Sequence, residues 1–456
     1  MQNEATIGRK FFSYVIPSVI AMLVSGLYQV IDGYFIGQYV GAYGLAAINL
    51  SWPLIGLIYG FGMMIGIGGG ALSSISKGEG DTDDSYLKIG NAITLLLLIG
   101  IIVGIVAYFS GYWLLKLQGG EGITLILAED YLNVIFFGAP ICMGGVALPF
   151  LIRNDDRPIK ATIIIAIGAV LNVILDWLFV ANLNMSMTGA ALATVFSQLV
   201  IVVISLIHFY SRIKKMKVLF QNLILDYEIT KQICSVGFSS VIMYTYIGFV
   251  VAIHNYLFIH YTNVVYVAAY AIVGYITSLY FLFSEGIVSG SQPLISYEYG
   301  RKNIKNMQKV VNYMFSFAVG SGIVVTLLVY IYSSSVVRFF NHSDLELLEV
   351  TIVGLKLHLI GLSLDGLIFS AGVFFQSLGN GNRASLIAML NMILQIPFVI
   401  CLPILYGVKG IWLAVPVSNL FVSLICIFFL TKEWRKLKAI LLNPNKEPSE
   451  YKLSNS

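Results

Sequence analysis

Charge is scarce in this chain. Lys, Arg, Asp and Glu make up 11% of its 456 residues, against about a quarter in a soluble domain. With 58% hydrophobic residues and a mean hydropathy of +0.86, a soluble globular fold is excluded. Cysteine is rare too. Cys142, Cys234, Cys401 and Cys426 all fall in apolar runs without metal-ligand spacing, so neither a disulfide scaffold nor a thiolate metal site is expected, and they read as packing residues. No nucleophile, base and oxyanion set appears. An enzyme is therefore not expected, and neither is an organic cofactor. No amphipathic presequence or small-residue cleavage site marks the first apolar run.

What the chain does have is apolar length. Runs able to cross about 30 Å of hydrocarbon lie at 11–36, 45–75, 90–115, 131–152, 161–182, 188–211, 233–259, 264–297, 310–337, 351–377, 384–406 and 409–431. The expected fold is an all-α membrane protein of twelve transmembrane helices. Crossing at each run from an N-terminus inside the cell puts 23 of the 27 Lys and Arg, Arg153 among them, on the cytoplasmic side, which satisfies the positive-inside rule. Lys116, Arg338 and Lys409 fall outside, and Lys356 is the basic residue left within a span. Both termini are then cytoplasmic. The net charge of +4 reflects these basic loops and calls for no nucleic-acid partner.

The second span carries Gly62, Gly66 and Gly70 at four-residue spacing, a smooth strip suited to close helix contact. Gly66, Gly68 and Ala71 match the dinucleotide fingerprint only in letters, since no strand precedes them. Compared with itself at a shift of about 220 to 222, the chain repeats. The stretch from Ile65 to Gly80 reads against that from Glu285 to Gly300, and Gly189, Leu192, Ala193 and Ser197 against Gly410, Leu413, Ala414 and Ser418. Six spans separate equivalents, so the repeat is parallel, with two six-helix lobes and a cleft between them. The expected organisation is a first lobe over 1–211, a cytoplasmic linker over 212–231, a second lobe over 232–432 and a cytoplasmic tail over 433–456.

Intramembrane carboxylates are few, and on insertion scales each is disfavoured by about 2.5–3.5 kcal/mol at a helix centre. In LNVILDWLFV, at 171–180, Asn172 and Asp176 are four residues apart and share a helix face. Asp32 lies in the first span, with Pro17 fifteen residues earlier as a candidate kink. The repeat sets Asp176 against Pro397 and Asp32 against His254, so the second half lacks the pair. A purely architectural role would lead one to expect carboxylates in both halves. The working expectation is that Asp32 and Asp176 share one buried cation site.

On VIDGYFIG with Asp32, NVILD with Asn172 and Asp176, GAALAT ending at Thr194, and the loop pair ISKGEGD and ISYEYGR, the chain resembles the multidrug and toxic compound extrusion (MATE) family of cation-coupled antiporters over its whole length. The resemblance implies a cation site at Asp32, Asn172, Asp176, Thr194 and the carbonyl of Ala190, with oxygen ligands suited to Na⁺; the same pair could instead hold one proton. It also implies a hinge at Pro17. Other branches of the family use acidic residues of the second lobe. Here Glu285 and Asp365 are present, but the seventh span offers His254 and Asn255 and no carboxylate. Tyr28 and Phe35, near Asp32, are candidates to line a drug pocket.

The implied function is export of amphiphilic, often cationic, organic compounds by alternating access, driven by Na⁺ or H⁺, from a monomer in the cell membrane. A lipid-linked oligosaccharide flippase is the nearest alternative, and the single intramembrane Lys356 speaks against its basic cavity. A channel or receptor is the other, and no filter segment interrupts the spans.

Overall fold

The computed structural model describes residues 4–215, 224–340 and 345–442. Residues 216–223 of the expected linker, with Lys217, and the tail from 443 lie outside them. Every regular element described is helical: α1 (Glu4–Tyr39), α2 (Ala42–Glu79), α3 (Thr82–Leu117), α4 (Gly122–Phe137), α5 (Ala139–Asn154), α6 (Pro158–Asp176), a π-helical turn (Trp177–Asn182), α7 (Ser186–Lys215), α8 (Tyr227–Tyr261), α9 (Val264–Gly300), α10 (Ile304–Phe340), α11 (Leu345–His358), a 3-10 turn (Leu359–Gly361), α12 (Leu362–Ser377), α13 (Gly381–Tyr406) and α14 (Val408–Leu442). Among the described residues, eleven helical segments are long and apolar enough to span a membrane, and α4 with α5 make a twelfth.

The fourth span is not the single helix over 131–152 that hydropathy suggests. α4 and α5 meet at 64°, because the α4 helix stops at Gly138 and Pro140, lacking an N–H, opens the next. Arg153, expected in a cytoplasmic loop, lies in the last turn of α5, where it is fully buried. Lys356 is thus not the only basic residue within the spans. One buried arginine still falls short of a basic cavity.

Helix ends fix the repeat more firmly than letters do. Tyr39 and Tyr261 end their helices, and Ala42 and Val264 begin theirs, at a shift of 222. Gly80 and Lys302 both take left-handed φ, at 92° and 57°. Asp81 and Asn303 then accept hydrogen bonds from the backbone N–H groups of Asp84 (2.9 Å) and Asn306 (3.2 Å), as N-caps do. The match of Gly80 to Gly300 is therefore two residues out of register. α5 and α12, and the starts of α6 and α13, correspond at 223, which sets Asp176 against Val399 instead of Pro397. Neither partner is acidic.

The glycine strip of α2 packs on α5. A Cβ at Gly62 would stand 2.9 Å from the Met143 carbonyl oxygen, and one at Gly66 2.9 Å from Ala147 Cα. Gly66→Leu should destabilise the fold by about 1–3 kcal/mol through overpacking, read as a lowered melting temperature in detergent. An unchanged melting temperature would show that the strip is not a packing surface.

The two halves meet chiefly through α2 with α8 and α1 with α9. Near the ends of α2 and α9 that carry Gly78 and Gly300, backbones touch. Gly78 lies against the Tyr297 carbonyl and Gly300 against that of Ile75, and each residue is the other's counterpart at a shift of 222. Along α2 and α8 the crossing loosens away from that end. Gly68 and Gly237 are in backbone contact, a Cβ at Gly60 would lie 3.2 Å from Val241 Cα, and one at Gly56 3.6 Å from the Tyr244 carbonyl. On α1, Gly33 faces open space. The molecule is closed at one end of the spans and looser toward the other.

Candidate cation site and central cavity

α6 gives way to the π-helical turn immediately after Asp176, and such breaks in the regular ladder are frequent at functional sites. Asn172 and Asp176, one helical turn apart, are both fully buried. α6 packs against α1, where Thr162 donates to the carbonyl of Pro17 at 2.7 Å, fixing the two helices together at the proline. α1 itself runs unbroken through Pro17. Asp32, half-buried and fifteen residues beyond Pro17 on α1, lies against Asp176.

Oδ1 of Asp32, both carboxylate oxygens of Asp176 and both amide atoms of Asn172 are buried without a hydrogen-bond partner. Two carboxylates in contact in such a site cannot both be charged unless a proton or a cation lies between them. α7 adds Thr194, whose hydroxyl donates to the carbonyl of Ala190 at 3.1 Å. The donors are carboxylate, amide, hydroxyl and carbonyl oxygens, which suit a hard cation. Among the described residues no group of three or more His, Cys, Asp and Glu comes together, so a transition-metal centre has no ligand set.

Sequence reasoning missed two neighbours. Gln198 is buried with its Oε1 unpartnered; it follows Thr194 by four residues on the face that carries Ala190, a spacing the sequence does contain. Tyr131 of α4 lies against Thr194 and Asp32, and only the bend after α4 places it there. Tyr28 neighbours Asp32 and Gln198. Phe35 instead stacks on Tyr39, with ring centres 6.2 Å apart.

The second-half candidates do not converge. His254 Nδ1 bonds the Val250 carbonyl at 2.8 Å and its ring stacks on Tyr270, 5.0 Å away, in a cluster with Phe258 and Trp412. Its Nε2 is buried without a hydrogen-bond partner, and half-buried Asn255 lies beside it. Asp365 on α12 accepts from the Asn419 amide at 2.6 Å. Glu285 on α9 instead lines a cavity between the halves, with Met63 and Ile67 of α2, Phe150 of α5, Tyr244 of α8 and Gln376 of α12.

Comparison with known proteins gives three findings. A family model described as MatE matches residues 17–178 and 238–401. Multidrug export protein MepA of Staphylococcus saprophyticus subsp. saprophyticus is 28% identical over 417 residues, 90% of each chain, and MepA of Staphylococcus aureus strain MRSA252 is 27% identical over 414 residues, again 90% of each. Among solved structures, one described as the outward-facing conformation of a multidrug resistance MATE family transporter superposes with a TM-score of 0.87 at 21% identity, covering 95% of this chain and 97% of that one.

Proposed function

From the premise that this chain belongs to the MatE family of transporters, we propose that it exports amphiphilic organic compounds across the cell membrane in exchange for Na⁺ or H⁺. Both termini and the closed end of the helix bundle lie on the cytoplasmic side in this reading, so the state described is the outward-facing one. The observation that carries the coupling is the Asp32–Asp176 pair, buried and short of partners where α6 turns π-helical. A cation drawn between them, with Asn172, Thr194 and the Ala190 carbonyl completing its shell, pulls α1 toward α6, and Pro17 is the hinge about which α1 bends. Export of multiple drugs is what the names of the MepA relatives describe, and an amphiphile fits the mixed lining of the central cavity.

Antiport requires that cation and drug lower each other's affinity by the same factor. Fluorescent-drug binding to the purified protein should therefore weaken as Na⁺ rises at constant ionic strength, or as pH falls if protons couple. Dye efflux from proteoliposomes, with Na⁺ and pH gradients imposed one at a time, identifies the ion. Efflux indifferent to both gradients, with drug affinity flat in both titrations, would rule out coupled antiport.

A further inference from the structure

The central cavity has two chemically different walls. Met63 and Ile67 on α2 are apolar, whereas their counterparts at a shift of 222, Glu285 and Ser289 on α9, are polar. α5 and α12 correspond at 223 from end to end, so Phe150 matches Val373 and Arg153 matches Gln376. Phe150, Val373 and Gln376 all line the cavity. Arg153 is the fourth member of this set and stands one layer back. It is fully buried, its guanidinium lies 4.6 Å from the centre of the Phe150 ring, and Nε, Nη1 and Nη2 all lack a hydrogen-bond partner. Its charge is near enough to Glu285 for the two to interact.

A guanidinium is always charged and presents a planar fork of donors that fits a carboxylate with two parallel hydrogen bonds. Buried without acceptors, such a group is strongly disfavoured, so a ligand that supplies them gains by it. Phe150, over whose ring the guanidinium lies, and Glu285 both line the cavity. Resting on the reading that the cavity holds substrate, we propose that Arg153 is a second charged subsite there, one that recognises an anionic group on the ligand. With Glu285 it makes the cavity selective for aromatic amphiphiles bearing both an ammonium and a carboxylate. A ligand with only the ammonium satisfies Glu285 and leaves Arg153 a repelling charge. One with only the carboxylate meets Glu285 as a like charge.

The test is binding to the full-length protein of three fluorescent probes built on one aromatic scaffold, with an ammonium, a carboxylate or both. The wild type should bind the doubly charged probe at least tenfold more tightly than the ammonium probe, and the carboxylate probe weakest. Arg153→Gln, which installs the second half's own residue, should abolish that preference while the ammonium probe binds as well as before or better. Glu285→Gln should weaken both ammonium-bearing probes. Should Arg153→Gln fail to fold by size-exclusion chromatography, Arg153→Lys keeps the charge, loses the fork and should cut the preference several-fold. A wild type without preference, a preference that survives loss of the guanidinium, or an equal loss for all three probes, as a purely structural role would give, overturns the proposal. Probes that do not bind the wild type at all, while cation-driven dye efflux persists, would instead remove substrate from this cavity and leave the coupling scheme standing.

Discussion

Asp176→Asn should bring cation-driven efflux down to the background of protein-free liposomes, while as much folded protein reaches the membrane as for the wild type, or more. Asp176 is fully buried and neither of its oxygens has a partner, so no structural hydrogen bond is lost on substitution. Removing a charge from a membrane helix eases insertion by an amount on the order of 2.5–3.5 kcal/mol. What the variant loses is one of the two carboxyl groups that face each other between α1 and α6. One carboxylate of the pair then remains, and a cation bound there no longer relieves a like-charge contact, so binding it gains little and the coupling to drug is lost. Asp32→Asn should act in the same direction, and Thr194→Val, which removes a neutral ligand, more weakly. The measurement is dye efflux per reconstituted protein, alongside the Na⁺ and pH dependence of drug binding. Efflux by Asp176→Asn within about twofold of the wild type would end the shared-site reading.

How far this site could be read from the sequence depends on whether its residues share a helix. Asn172 and Asp176 are one turn apart on α6, and helical geometry alone puts them on one face. Asp32 stood out because an isolated carboxylate in an apolar run demands a partner, though which partner is set by the packing of α1 on α6. Ala190 and Thr194 came through family resemblance, and the hydrogen bond between them now gives that choice a local geometry. The π-helical turn after Asp176 escaped, because WLFVAN is as apolar as the helix before it and carries no proline or glycine. The twelve spans were visible because length and hydropathy are additive along the chain. The bend between α4 and α5 was not: Gly138 and Pro140 are ordinary within a membrane helix. A basic residue near the end of an apolar run is normally a loop charge, and hydropathy alone therefore places Arg153 outside the membrane.

Gly78→Val and Gly300→Val should each open the closed end of the bundle and cut transport severely, and they should do so alike. The two residues are counterparts in the repeat, and each lies against a main-chain carbonyl of the opposite half, Tyr297 for Gly78 and Ile75 for Gly300. Backbone on both sides of the contact leaves no flexible side chain to move aside, so an added isopropyl group has to push the halves apart. Overpacking of this kind is worth about 1–3 kcal/mol. Because it acts only in the state where this crossing is shut, it shifts the balance between the two access states by about 5- to 150-fold. The two contacts belong to one crossing, so the double variant should add less than the sum of the singles. Spin labels at exposed Asp83 and Lys305, one in each half near this end, should report a longer distance in both variants. Gly320→Val, at a position with open space around it, should leave distance and transport unchanged. A Gly78→Val protein with wild-type distance and wild-type efflux would mean that this crossing does not gate access, and the alternating movement of the halves would then have to be sought where α1 and α9 meet.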